Sequence, residues 1–120
     1  MFVSKNLNIG MLLDFYGQLL TDKQSNAVDF YYNQDFSLAE IAEQMQISRQ
    51  GVRDLIKRGE KQLLDLEDAL GLVTRFSNIL SDLKGIKSSC DAIREISENE
   101  TVIKNIDKID NLIKNISDKI

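Results

Sequence analysis

The 120-residue sequence contains no histidine and no proline, and its single cysteine is Cys90. Without histidine there is no Cys/His zinc set and no Ser/His or Cys/His nucleophile pair. A lone cysteine cannot close an intrachain disulfide, so nothing points to an oxidising compartment, and Cys90 reads as a small hydrophobe on a helix face. No G-x-x-x-x-G-K-S/T phosphate loop is present. The acids Asp14, Asp29, Glu40 and Glu43 fall on polar helix faces, with no sign of the desolvated pocket that general acid–base catalysis needs. Neither catalysis, a cofactor nor a metal is therefore expected. No run reaches the roughly 18 apolar residues of a membrane span. The first twenty residues are interrupted by Lys5, Asn8, Asp14 and Gln18 and lack a small-residue cleavage site, unlike a signal peptide. Together these absences describe a cytoplasmic, non-enzymatic protein with no membrane partner.

What is present is helical. A proline-free chain with 42% apolar residues fits an all-α fold of one domain, or one domain with an appendage. Its clearest stretch is Ser37 to Arg58, SLAEIAEQMQISRQGVRDLIKR, which predicts two short helices joined by a tight turn. Leu38, Ile41, Ala42 and Met45 recur at helical spacing, Ile47 sits in the connection, and Val52, Leu55 and Ile56 resume the period. Ser37 with Glu40 forms an S-x-x-E capping box, and Ser48 is placed to cap the second helix. Ala42 supplies the small side chain that a steep crossing of two helices requires.

The second of these helices differs from its surroundings in charge. Ser48 to Lys61 carries five cations (Arg49, Arg53, Lys57, Arg58, Lys61) and two anions, a net of +3 in a chain of net −4, leaving −7 for the rest. Arg49, Gln50, Arg53 and Lys57 are spaced three to four apart and include the side chains that read base edges, Arg for guanine and Gln for adenine. That is the layout of a recognition helix entering the major groove. Because the chain as a whole is acidic, any contact with nucleic acid must be focused on this face.

The flanking segments read as support. Leu7 to Leu20 carries Met11, Leu12, Phe15, Tyr16, Leu19 and Leu20 as a core-facing stripe. Thr21 and Gln24 form a second capping box, opening a helix with Ala27, Val28, Phe30 and Tyr31, and Asn33-Gln34-Asp35 breaks it. The aromatics Phe30, Tyr31, Tyr32 and Phe36 suit a packing cluster, with a tyrosine hydroxyl at the surface, better than a base-stacking platform. After Arg58 a coiled-coil pattern takes over. Val52, Ile56, Gly59, Leu63, Leu66, Leu70 and Val73 alternate four-and-three spacing. The frame slips near Gly71 to Leu72, Phe76, Ile79, Leu83, Ile86, Cys90 and Ile93, so one long helix or two with a bend at Gly71 both fit. Ser97-Glu98-Asn99-Glu100 interrupts, and Val102, Ile106, Ile109, Ile113, Ile116 and Ile120 restart the repeat. Residues 72–120 hold eight basic and eight acidic residues, a balance that suits a partner helix better than a phosphate.

The segment LTDKQSNAVDFYYNQDFSLAEIAEQMQISRQGVRDLIKRGEKQLL, Leu20 to Leu64, resembles region 4 of sigma-70-type factors, and more closely the YlxM family of small bacterial helix-turn-helix proteins. The similarity lies in LTDKQ, the paired Tyr31 and Tyr32, SLAEIAE, ISRQ-x-V and IKR-x-EK-x-L, and it extends from Met11 to Leu72. It implies a non-enzymatic regulatory protein associated with the signal recognition particle pathway. It also places Ser48, Arg49, Gln50, Arg53 and Lys57 where sigma region 4 contacts DNA. Three departures stand out: Gln46 where the turn normally has Gly, Gly51 where the family prefers Ala, and Arg53 where many members carry an aromatic.

Two organisational readings follow. Residues 1–71 form a helix-turn-helix nucleic-acid-binding domain with Ser48, Arg49, Gln50, Arg53, Lys57 and Arg58 as contacts, and residues 72–120 form a helical segment for dimerisation or partner binding. The chain is then either a homodimeric DNA-binding regulator, or a ribonucleoprotein accessory that meets the particle's RNA or its GTPase. RNA's deep major groove resists a recognition helix, so the second requires irregular RNA or protein contacts.

Overall fold

A computed structural model describes residues 8–119, and every regular element among them is helical. The order is α1 (Ile9–Tyr16), a 3-10 turn (Gly17–Leu19), α2 (Asp22–Tyr32), α3 (Leu38–Met45), α4 (Arg49–Leu70), α5 (Leu72–Ile96) and α6 (Glu100–Lys119). The chain is all-α, as composition and periodicity predict. Leu7, where the predicted first helix begins, and Ile120, the last member of the final repeat, lie outside the described residues, as do residues 1–6. Two compact units divide the chain, one ending at Val73 and the other spanning Thr74–Ile120.

In the first unit α4 is the central post, packed by α1, α2 and α3. Its inward face reads Val52, Ile56, Gly59, Glu60, Leu63 and Glu67. The run Val52, Ile56, Gly59, Leu63 thus closes the core of its own chain and is not a seam for a partner helix. Two adjoining apolar clusters result: Ile9, Leu12, Leu13, Tyr16, Leu20, Val28 and Leu63 at one end, and Ala27, Ile41, Val52 and Ile56 under the helix-turn-helix. Phe30 stacks on Phe36 beside the second cluster, and Tyr31 meets Tyr32 edge-on.

The first helix differs from its predicted stripe. It ends at Tyr16, and the following turn is 3-10, which advances three residues per turn and shifts the phase of every later side chain. Ile9 and Leu13 are buried in place of Met11 and Phe15, and Leu19 is 58% exposed. Ala42 is half-buried and packs against the cluster under the helix-turn-helix. A second close approach lies at Gly59, where a Cβ would stand 2.7 Å from Val28 Cγ2 and 3.2 Å from Leu20 Cδ2.

Two acids sit on the buried face of α4, and each is met by a tyrosine hydroxyl. Tyr32 donates to Glu60, and Tyr16 donates to Glu67 Oε1 at 2.6 Å. In the aromatic cluster the part-buried Tyr32 hydroxyl is thus bonded to Glu60. Burial first, and then the carboxylate beside it, raises the pKa of both phenols above the usual tyrosine range. The Tyr16–Glu67 pair also serves the next helix. Gly71, in the left-handed conformation at φ 63°, joins α4 to α5 in a single residue and leaves no room for a local N-cap side chain. The orphan N–H groups of Leu72 and Val73 are taken instead by Tyr16 Oη (3.1 Å) and Glu67 Oε1 (3.0 Å).

The second unit is an antiparallel hairpin. Lys87 pairs with Asp110 (3.3 Å), and Arg94 pairs with Asp107 (3.0 Å) and Asp110 (2.9 Å), so residues before the Ser97–Asn99 break meet residues after it in reverse order. Leu83, Cys90 and Ile106 are its buried side chains, with Cys90 a free thiol packed as a small hydrophobe.

The two helix-interior glycines on either side of Gly71 make opposite predictions. Gly59→Ala overpacks the α2–α4 crossing and is expected to cost about 1–3 kcal/mol. Gly85, around which a Cβ would meet nothing within 4 Å, is expected to gain about 0.5–1 kcal/mol on replacement by Ala. Urea unfolding of the two variants beside the wild type checks both signs.

Candidate nucleic-acid interface

The helix-turn-helix is assembled from local signals that the structure realises. Ser37 Oγ accepts from Glu40 N–H (3.1 Å) while Glu40 Oε1 accepts from Ser37 N–H (3.0 Å), closing the capping box that starts α3. The Thr21–Gln24 box starts α2 in the same way. α3 then stops at Gln46, which adopts φ 59°, ψ 44° and donates its N–H back to Ala42 and Glu43, with Ile47 N–H also bonded to Ala42 O at 3.1 Å. This is the left-handed residue the turn requires, held here by a side chain that gains nothing from the conformation. Ser48 Oγ accepts from Gly51 N–H at 3.0 Å and starts α4. A Cβ on Gly51 would stand 3.3 Å from that same hydroxyl oxygen, so the glycine leaves room for the cap.

The inward face of α4 begins only at Val52, so its first turn projects past the core. Ser48, Arg49, Gln50, Lys57 and Arg58 are exposed and Arg53 is half-buried. At 3.6 residues per turn, Gln50, Arg53 and Lys57 fall within about 60° of one another, with Arg49 one turn before Arg53 on its flank. Arg58 follows Lys57 directly and so points about 100° further round, off that strip. Gln50 Nε2 donates to Asp54 Oδ1 at 3.1 Å, one turn along the same helix, and must leave Asp54 to read a base. Ser48 accepts with its hydroxyl oxygen in the cap, which leaves the hydroxyl proton for an outside acceptor. Beyond Lys57 the cationic strip ends: Lys61 is tied to Asp65 at 2.8 Å and Asp68 follows. The result is a positive tip on a helix whose remaining exposed length is of mixed or acidic charge.

The support for this tip lies in residues the sequence reading passed over. Glu60 and Glu67, buried and bonded to Tyr32 and Tyr16, fix the rotation of α4 about its own axis. The available signal was their position: both fall on the same helical stripe as Ile56 and Leu63, where a carboxylate must find a partner. Asp35 is a second left-handed residue, at φ 55°, turning the α2–α3 connection so that Phe36 N–H reaches Phe30 O at 2.9 Å. Among the described residues no cluster of three or more His, Cys, Asp or Glu side chains is placed to hold a metal, and no helix is long and apolar enough to cross a membrane.

Two capped helices at a left-handed turn, packed on a common core with the second helix presenting its start outward, define a helix-turn-helix protein. Residues 3–120 match the family model UPF0122, described as "Putative helix-turn-helix protein, YlxM / p13 like". Similar proteins, each named UPF0122 protein, include one from Clostridium kluyveri, 44% identical over 113 residues (94% of this chain, 98% of the relative). Another, from Thermoanaerobacter sp., is 46% identical over 99 residues (82% and 85%), and one from Halalkalibacterium halodurans is 37% identical over 108 residues (90% and 99%). The chain belongs to the UPF0122 family.

Two outcomes test the local construction. Gln46→Gly should stabilise the protein by about 0.5–1 kcal/mol in urea unfolding, because glycine adopts the left-handed region without a Cβ clash. The Glu40 carboxyl lies below its ordinary value of 4.5 because the Ser37 backbone N–H, and then the Ser37 hydroxyl, bond its charged form. A lowered pKa in the folded state stabilises above the ordinary value and is lost as pH falls through the lowered one. The stability difference between wild type and Glu40→Ala should therefore be full above pH 4.5 and shrink below it; a difference unchanged down to pH 2 would assign the effect to something other than the charged cap.

Proposed function

We propose that this protein is a non-enzymatic regulator that binds duplex DNA through the start of α4, using Ser48, Arg49, Gln50, Arg53, Lys57 and Arg58. The observation that carries the reading is the exposed basic tip, net +3 over Ser48 to Lys61, in a chain of net −4. Acidity elsewhere suppresses diffuse binding, so affinity concentrates where the cations project. Arg49, Arg53 and Lys57 supply phosphate or guanine contacts, and Gln50, once released from Asp54, supplies an adenine contact. Residues 1–71 act as the nucleic-acid-binding part and residues 72–120 pair two copies, so that two recognition helices meet half-sites about one DNA turn apart. The resemblance to YlxM and to sigma region 4 supports this assignment, and with it we propose the bacterial cytoplasm and the signal recognition particle pathway as the protein's setting.

A second reading draws on the net −7 carried outside the basic tip. Such a surface suits a basic protein partner, and in this reading the chain is an accessory of the particle's GTPase or RNA. Salt dependence separates the two.

With duplex DNA, replacing Arg53 and Lys57 by Ala should weaken binding and lower the slope of log affinity against log salt by up to about two, one per lost phosphate contact. Gln50→Ala should flatten base preference at one position and leave the slope unchanged. The measurement is fluorescence anisotropy over a salt series, run in parallel with the particle's RNA. A wild-type slope that the double variant does not move, or binding to the RNA alone, overturns the DNA reading.

A further inference from the structure

The α5–α6 hairpin has two unlike faces, and the sequence spacing says which residues share each. On both helices the ion-pairing residues stand four positions after an inward-facing one: Lys87 after Leu83, Arg94 after Cys90, Asp110 after Ile106. On both helices exposed isoleucines stand four positions before one: Ile79 before Leu83, Ile86 before Cys90, Ile109 before the half-buried Ile113. A step of four turns an α-helix about 40° in a fixed sense. In two antiparallel helices that face each other, equal turns from the shared inward direction reach the same side. The ion pairs therefore close one face, and the isoleucines of both helices gather on the other.

That second face is apolar and uncovered within the hairpin. Ile79, Ile86, Ile93, Ile109, Leu112 and Ile116 are between 36% and 59% exposed. Of the thirteen positions 75, 79, 82, 86, 89, 93, 96, 102, 105, 109, 112, 116 and 119 on these stripes, three are charged; Arg75 and Lys119 stand at the outer ends, and from 79 to 116 Asp82 is the one charge. The exposed side chains present on the order of 500 Å² of apolar surface, the size at which such a patch marks an interaction site. Two copies of it give about 1,000 Å², the lower bound for a specific interface. Between positions 79 and 116 the face carries no cation, which disfavours anionic lipid and nucleic acid as occupants. A two-helix hairpin with three buried side chains also needs a second layer to close its core.

We infer that this face is the self-interface: two hairpins pack their isoleucine faces together into a four-helix bundle about a two-fold axis, with the Lys87–Asp110–Arg94 faces outward. The inference rests on the proposed pairing of two copies through residues 72–120 and assigns that pairing to one side of the hairpin.

Sedimentation equilibrium of the full chain tests it. The wild type should be a dimer at tens of micromolar. Ile86→Lys/Ile109→Lys should raise the dissociation constant by about 100-fold or more, because four buried anchors are lost across the two-fold. Far-UV circular dichroism should keep its helical signal, since both side chains are exposed in the single chain. Ile79→Ser/Ile116→Ser probes the same face without adding charge and should weaken the dimer in the same direction. Lys84→Glu/Lys114→Glu, on the opposite side, should leave it intact. A wild-type monomer overturns the pairing and this interface together, assigning the face to the chain's own N-terminal unit or to another protein. A dimer that survives both isoleucine variants overturns this interface alone. Loss of DNA binding with the dimer intact bears only on the basic tip of α4.

Discussion

A carboxylate is costly to bury unless its oxygens are hydrogen-bonded, and α4 carries two such groups on its inward face. Glu60 and Glu67 are separated by two helical turns and are each answered by a tyrosine from a different helix, Tyr32 of α2 and Tyr16 of α1. Apolar packing alone tolerates some rotation and sliding of a helix; two directional bonds to two neighbours do not. The seating of α4 in turn decides which of its residues are buried, and so which cations remain for the surface. Removing either hydroxyl would take one partner from a buried carboxylate, a penalty on the order of 1–3 kcal/mol.

The same bonds cap the start of α5, whose first two residues, Leu72 and Val73, belong to the first unit. Gly71, at φ 63°, joins α4 to α5 in one residue and has no side chain to cap α5, unlike the Ser, Thr or Asn at the other α-helix starts. The Tyr16 hydroxyl and Glu67 carboxylate do that work from a distance, taking the N–H groups of Leu72 and Val73. One polar cluster therefore orients the post of the helix-turn-helix and caps α5, so the two roles are expected to fail together.

The helix-turn-helix itself spends little on its connection. Serine caps begin both helices, and the one expensive feature is Gln46 in a left-handed conformation. The tip of α4 is free to act because the core stops at Val52. Its length beyond Arg58 serves packing, with Gly59 admitting Val28 where any larger residue would hold α2 away. Recognition surface and scaffold are thus consecutive stretches of one helix.

Much of what is set within a few residues was legible in the sequence: the S-x-x-E and T-x-x-Q boxes, the Ser48 cap, the turn at Gln46, the interruption at 97–100, and the charged stretch that is the candidate site; the 3-10 turn at Gly17–Leu19 and the left-handed Asp35 were not. The legible features depend on i to i+3 or i+4 contacts, which the chain brings together whatever else it does. The folded structure alone decided three things. It paired Glu60 with Tyr32 and Glu67 with Tyr16 across 28 and 51 residues. It brought α2 against Gly59, and a small residue matters only where a second helix crosses it. It also split each heptad stripe of the C-terminal segment into an inward half and an outward half. Periodicity states that a helix has an apolar side; how much of that side a neighbour covers depends on where the neighbour lies, and that is fixed only when the elements pack.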